Sequence, residues 1–432
     1  MLDKVKTESR AEDIIKHFNS VRELTESLCQ GLEIEDYNLQ AIAETSPAKW
    51  HLAHTSWFFE TFILKDFESD FVPYHPEFEY LFNSYYNSVG EQFLRPNRHL
   101  LSRPTVDEVL QYRHEVTRRI TALLEAITQK QIKEVLPLVV LGINHEQQHQ
   151  ELLLTDLKYN LYQNPLLPRY SHKHDPDKNN LSKPVSQIWV EYQPELCTVG
   201  TKLGNGVTGD FCFDNESPEH QHYLQGFKVS NRLVTNAEYL EFIEQGGYER
   251  AELWLSDGWS VKNQEQWSAP LYWFKKGGAW HYYTLHGAQP LALNEPVSHV
   301  SYYEADAFAA WKGARLPTEQ EWERVASLQA VNGPFLDSDN LSPSPETNES
   351  KQVMQLFGQL WQWTSSHYSS YPGYQPLAGG VGEYNGKFMA NQYVLRGGSC
   401  VSSRDHLRAT YRNFFYPESR WQFSGIRLAK DL

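Results

Sequence analysis

Three histidines carry the most specific chemistry in this chain. The segment Asn144-His145-Glu146-Gln147-Gln148-His149-Gln150-Glu151 lies in a helical pattern. Residues four apart then fall on one face, one turn apart, so His145 and His149 can reach the same metal ion. Neutral imidazole suits zinc, copper, iron and nickel, so the pair alone does not choose among them. HEQQH also matches the zinc-peptidase motif, in which Glu146 would act as general base. A second helical segment, Trp50-His51-Leu52-Ala53-His54-Thr55-Ser56-Trp57-Phe58, offers a third imidazole from His51 or His54. Neighbouring helices of a bundle can aim such groups into a shared interior. His51 taken alone reads either as a structural residue or as a partner behind a ligand. Glu146 and Glu151 read as partners that orient the imidazoles, or as a solvated face, rather than as ligands.

The elements that must position these groups follow from periodicity. From about Ala11 to Asn164, apolar residues recur three and four apart, as in Ile14, Phe18, Val21, Leu24 and Leu28, and in Val109, Tyr112, Val116, Ile120 and Leu124. With further segments near His51–Leu64 and Val135–Tyr162, four helices are expected, forming a bundle over residues 1–164. Residues 165–184, rich in Pro, Asn and Asp, read as a linker. Residues 185–432 change character to short strand-like pieces and turns. Helices are expected there only near Asn236–Glu244, near Tyr303–Ala310 and from Glu319, with a polar loop over Asp337–Ser350. The second domain therefore reads as α+β.

Bulk properties narrow the setting. A chain of 432 residues is too long for one compact core and predicts two domains. The net charge of −15 and the lack of a basic run argue against a nucleic-acid partner. Cys29, Cys197, Cys212 and Cys400 form no CxxC pair, so neither a disulfide framework nor a cysteine zinc site is indicated. The opening stretch MLDKVKTESRAED is charged where a leader would be apolar, and no apolar run is long enough to span a bilayer. A cytoplasmic protein without a membrane partner is the expectation.

Several longer fragments resemble a known family. In the first half these are WHLAHTSWFFE, FNSYYNSVGEQFLRPNRHLLSRPT and NHEQQHQELLLTD. In the second half they are VSNRLVTNAEYLEFIEQGGY, PVSHVSYYEADAFAAWKGARLPTEQEWE, LWQWTSS, VLRGGSCVSSRDHLRATYRNFF and SGIRLA. In this order they resemble the sulfoxide synthases of ergothioneine biosynthesis. That family joins a DinB-like four-helix bundle to a formylglycine-generating-enzyme-like, C-type-lectin-like domain that completes the substrate pocket. The resemblance implies Fe(II) held by His54, His145 and His149. It also implies the O2-dependent joining of a thiol, cysteine or γ-glutamylcysteine, to C2 of the hercynine imidazole, with the sulfur becoming a sulfoxide.

The same resemblance implies roles for other residues. Gln148 would contact the substrate imidazole, for which an amide offers both donor and acceptor. Tyr85 and Tyr86 resemble a catalytic tyrosine pair able to donate a proton. Arg95 and Arg98 resemble the basic pair that holds the thiol substrate's carboxylate. Asn413, Phe414 and Phe415 resemble the segment that closes over the quaternary ammonium of hercynine, where aromatic faces are suitable partners. Phe415 stands where some members carry an acidic residue, a departure that favours the branch using free cysteine. The reactive cysteines of true formylglycine-generating enzymes align near Ser402 and Leu407, so thiol chemistry is not expected in this domain. Alternatives remain: within the same architecture, coupling of hercynine to a selenosugar or of histidine to cysteine at a different ring carbon; a zinc hydrolase built on HEQQH; and a non-catalytic binding module, since both component folds also occur in such proteins.

Overall fold

A computed structural model describes residues 2–128, 130–171, 185–207 and 210–432, with the side chains of residues 2–9 left aside. The chain divides into two compact units. The first comprises residues 1–163 together with two segments distant in sequence, 203–214 and 375–387, and the second comprises the remainder. From residue 172 onward, the linker expected over 165–184 lies outside the described residues.

The first unit is built on four long helices: α1 (Leu2–Ser27), α2 (Ala48–Phe59), α4 (Val106–Glu125) and α5 (Ile132–Tyr162), with the short α3 (Phe78–Phe82) between α2 and α4. α4 shows the ordinary amphipathic logic. Thr105 and Glu108 form a reciprocal capping box at its start, and Val109, Tyr112, Val116, Ile120 and Leu124 bury one stripe. α2 is different, because all twelve of its residues are buried. A helix buried all round is central to its bundle and must satisfy every polar side chain internally. α2 continues through a π-helical turn, Glu60–Leu64. There the Glu60 carboxylate accepts hydrogen bonds from the Tyr74 backbone N–H and the Tyr112 hydroxyl. Gly142 lets α5 close on α2, since a Cβ at that position would come within 2.4 Å of the Phe59 ring. His145 lies three residues further along and so faces the same way.

The second unit is the α+β part. Its strands are β1 (Trp189–Tyr192), β2 (Glu195–Val199), β3 (His220–Leu224), β4 (Phe227–Ser230), β5 (Trp273–Lys276), β6 (Ala279–Thr284), β7 (Gly287–Pro290), β8 (Trp361–His367), β9 (Tyr393–Arg396), β10 (Asn413–Phe415), β11 (Ser424–Gly425) and β12 (Ala429–Asp431). They form four small sheets, ordered β1-β4-β12, β10-β9-β8-β11, β2-β3 and β5-β6-β7. Capping boxes open α6 (Asn236–Glu244), α8 (Tyr302–Trp311) and α9 (Glu319–Ala326), which match the three expected helices.

One further helix, α7 (Ser256–Gln264), was not expected from the sequence. Its segment SDGWSVKNQ is mostly polar, so no apolar period announces it. Gly258 is there because a Cβ would meet the Tyr303 ring at 2.7 Å. The polar stretch Asp337–Ser350 holds only the end of a 3-10 turn, Leu336–Ser338. Among the described residues, no helix is long and apolar enough to cross a membrane.

Candidate metal centre

α2 and α5 bring His54, His145 and His149 together inside the first unit. One ring nitrogen from each lies within 4.8 Å of the others, and all three residues are buried. Burial holds each imidazole neutral by pushing its pKa below the ordinary 6.5, to about 3 for His145 and well below 6.5 for His54 and His149. Neutral imidazole is the form that binds a metal. Nε2 of His54 and both ring nitrogens of His145 have no hydrogen-bond partner among the described residues. Orphaned buried nitrogens cost stability unless something binds them. One nitrogen from each of the three buried rings, two of which carry such orphans, converging within 4.8 Å fits a metal ion.

The three rings are held by their surroundings. Nδ1 of His54 donates to the Phe82 carbonyl at 2.6 Å, which leaves Nε2 bare toward the centre. The ring is stacked between Trp50, one turn before it, and Trp57, one turn after, at centroid distances of 4.5 and 5.3 Å. Phe58 packs on His145 at 4.6 Å. Nδ1 of His149 lies 2.9 Å from Nδ1 of His51, whose Nε2 lies 3.1 Å from Oδ2 of Asp156. His51, left open by its sequence, thus stands between a triad member and a carboxylate. Asp156 follows His149 by seven residues, two turns along the same face, a spacing from which it could have been inferred.

Glu146 corrects an expectation, for it orients none of the imidazoles. Oε2 accepts from Arg22 Nη1 at 2.9 Å, while Oε1 accepts from Thr25 at 2.7 Å and also pairs with Arg113. Burial would raise this carboxyl, but Arg113 and Arg22 outweigh it and hold it at about 2. A carboxylate fully engaged by two guanidinium groups and so weakly basic cannot serve as the general base of an HExxH hydrolase.

Around the triad, the two arginines behave differently. Arg98 is buried, with its guanidinium 3.4 Å from the Trp50 ring centroid and hydrogen bonds to the Ser46 and Ser84 hydroxyls. Among the described residues no carboxylate forms an ion pair with it. Burial, and then neighbouring Arg95, push it well below the ordinary 12.5. Arg95 itself is exposed and donates to the Glu44 carbonyl. Tyr85 and Tyr86 stack at 4.6 Å, and Tyr86 lies 5.5 Å from Trp57. Burial raises both phenols above 10, so they stay protonated.

Gln148 meets a residue that no motif announces. The Tyr384 hydroxyl donates to its Oε1, and the Tyr384 ring lies 5.6 Å from His145. Tyr384 comes from the 375–387 segment, where it stacks on Phe213 at 5.4 Å. Next to it Asn385 donates to Asp214 at 2.7 Å, which ties the two distant segments of this unit together.

Asn413, Phe414 and Phe415 belong to the second unit, on β10, paired with β9. Alternation along the strand puts Asn413 and Phe415 on one face and Phe414 on the other. Phe414 stacks on Tyr368 at 4.0 Å, and Phe415 meets Trp421 edge-on at 5.8 Å. The preceding Arg412 anchors the strand through a bidentate pair with buried Glu319 at 2.9 and 3.0 Å. Cys400 and Ser402 are fully buried, and among the described residues no disulfide joins any of the four cysteines.

Comparison with known proteins agrees with this division of the chain. Residues 17–153 match the DinB superfamily, and residues 191–352 and 346–432 match the Sulfatase-modifying factor enzyme 1-like domain. The hercynine oxygenase of Mycolicibacterium smegmatis is 30% identical, with 90% of this chain and 91% of the relative covered. That of Mycolicibacterium thermoresistibile is 29% identical, covering 90% and 88%. The formylglycine-generating enzyme of Streptomyces coelicolor is 26% identical over 53% of this chain and 86% of its own length. With near-complete coverage by relatives at this identity, a DinB part and a sulfatase-modifying-factor part in the same order, the chain belongs to the hercynine oxygenase family.

Proposed function

We propose that this chain is an Fe(II)- and O2-dependent sulfoxide synthase that joins a thiol, cysteine or γ-glutamylcysteine, to C2 of the hercynine imidazole in ergothioneine biosynthesis. The observation that carries the proposal is the buried triad of neutral imidazoles, with bare nitrogens of His54 and His145 and with Glu146 turned away to Arg22 and Arg113. Iron bound there by His54, His145 and His149 would supply the activation of dioxygen. A ligand set of three neutral imidazoles leaves the rest of the coordination sphere to substrates.

The surrounding residues would bind and orient. The Gln148 amide, fixed by Tyr384, is suited to an imidazole that both donates and accepts. Arg98 is a buried cation that forms an ion pair with no carboxylate among the described residues, as an anchor for the carboxylate of the thiol substrate should be, and Arg95 adds positive charge at the rim. Tyr85 and Tyr86, held protonated, can release a proton only to a strong base, which suits a donor in the sulfoxide-forming step. Asn413, Phe414 and Phe415 are assigned to the quaternary ammonium of hercynine. Phe415 is the ring best suited to cation–π attraction, because Phe414 already stacks on Tyr368.

The test is direct. Purified protein loaded with Fe(II) is incubated under oxygen with hercynine and either cysteine or γ-glutamylcysteine, and the products are read by mass spectrometry. A sulfoxide conjugate with one thiol supports the proposal and names the donor. Absence of conjugate with both, from protein shown to hold iron, overturns it.

A further inference from the structure

The contacts behind His149 determine where its hydrogen sits. The backbone N–H of Ser46 donates to Oδ2 of Asp156 at 2.8 Å, and a backbone amide can only donate. The Asp156 carboxylate has only lone pairs to offer, so Oδ2 accepts from both neighbours and His51 Nε2, 3.1 Å from it, carries the hydrogen between them. A neutral imidazole with its hydrogen on Nε2 has a lone pair on Nδ1. The His149 nitrogen facing that lone pair at 2.9 Å must then be Nδ1–H, and Nε2 of His149 is left bare. We infer that Asp156 and His51 form a two-residue relay of hydrogen bonds whose task is to lock His149 in its metal-binding tautomer.

The relay is built rather than incidental. His51 and Asp156 are both buried, at 2% and 3% exposure, and come from different helices, α2 and α5. Each hydrogen bond fixes the next, so the Asp156 carboxylate, held in place by the Ser46 backbone amide, sets the tautomer of His149. His54 reaches the same tautomer in one step, through the Phe82 carbonyl. His149 has no carbonyl in that role and uses a second imidazole as its acceptor. An imidazole backed by a carboxylate is a stronger acceptor than a bare carbonyl, so the relay also makes His149 the more basic ligand. His51 and Asp156 are thus positioning residues. The inference rests on the metal-centre reading but can be checked without a metal.

Long-range proton–nitrogen NMR of the metal-free, histidine-labelled full chain reads the tautomer directly. His149 is expected as the Nδ1–H form in the native protein, and a mixture is expected in His51→Phe. His51→Gln, whose amide carbonyl can take the same hydrogen, should restore the single tautomer. Titration with Co(II) alone gives the second readout. His51→Phe should bind it about 10–100-fold more weakly, and His51→Gln should recover most of the loss. Asp156→Asn, with a weaker acceptor, should fall between. A native His149 in the Nε2–H form overturns the inference, as does His51→Phe with native tautomer and affinity. If His51→Phe does not fold, Asp156→Asn and His51→Gln carry the same two readouts. Failure of iron-dependent product formation with a normal tautomer would count against the proposed reaction and leave the relay standing.

Discussion

Helix α5 presents two buried polar faces, offset by a single residue, and they are treated in opposite ways. Glu146 and Gln150, one turn apart, face α1 and α4 and are fully engaged. Arg22, Arg113 and Thr25 hold the carboxylate, and Gln150 donates to the Val21 carbonyl and the Thr25 hydroxyl. His145 and His149, also one turn apart, face α2, and both nitrogens of His145 are left without a partner among the described residues. The first face binds three helices together. The second keeps its binding capacity in reserve, at a cost in stability that a bound metal would offset. One six-residue stretch thus holds a structural centre and a functional one, and neither can substitute for the other.

The sharpest way to break this comparison is to exchange the consequences of damage. His145→Ala should abolish retention of Fe(II) or Co(II), beyond the roughly 10–100-fold loss that follows when a partner behind a ligand is removed. It should leave the melting temperature of the metal-free protein nearly unchanged, because it removes two orphaned nitrogens. Metal analysis after gel filtration and a thermal melt check both halves. Glu146→Gln should do the reverse. Two buried guanidinium groups would lose their shared counter-charge, costing about 3–5 kcal/mol of stability. Metal affinity, measured below the melting transition, should stay within a few-fold of native. Equal loss of metal in the two variants would show that the faces act as one.

Acid separates them by degrees. The triad is buried neutral, so its pKa values lie below the ordinary 6.5 of an unfolded histidine, at about 3 for His145. Between those values the unfolded chain binds more protons than the folded one, and stability is lost as pH falls. Each such imidazole contributes up to about 1.4 kcal/mol per pH unit. Glu146 has a folded pKa of about 2 against an ordinary 4.5, so its contribution is full above 4.5 and is lost as pH falls toward 2. Metal-free protein should therefore weaken in two stages, first below about pH 6.5 and again below about pH 4.5. His145→Ala should lessen the loss between about pH 6.5 and about pH 3 and leave the Glu146 contribution below that in place, as followed by denaturant unfolding at a series of pH values.

Much of this could be read from the residues, and what could not has a physical reason. The helical period marked α1, α2, α4 and α5, and the i, i+4 spacing marked the face on which His145 and His149 cluster with His54, because both signals are local. The resemblance favoured His54 over His51, and in the structure His54 joins the triad while His51 lies behind it. The engagement of Glu146 was not legible, since Arg22 and Arg113 lie on other helices and no spacing relates them to HEQQH. α7 was missed because Gly258 and its polar neighbours carry no period. Tyr384 was missed for the strongest reason: it lies in an irregular segment more than two hundred residues from Gln148.

Tyr384 gives the smallest and most specific effect. Its hydroxyl donates to Gln148 Oε1, so the amide NH2 of Gln148 is left to point the other way, and the orientation of that amide is fixed. Gln148 is half-buried, so water can replace the lost donor in Tyr384→Phe, and the cost in stability should be about 0.5–1.5 kcal/mol or less. Metal retention should not change, since the variant alters no hydrogen bond of the three triad rings. What should change is the discrimination of the amide between donor and acceptor positions of a bound imidazole. KM for hercynine is expected to rise by up to about tenfold, the equivalent of one hydrogen bond to an oriented partner. An unchanged KM with a lowered kcat would instead place the Tyr384 hydroxyl in the chemical step, and would make this segment a third functional region beside the two faces of α5.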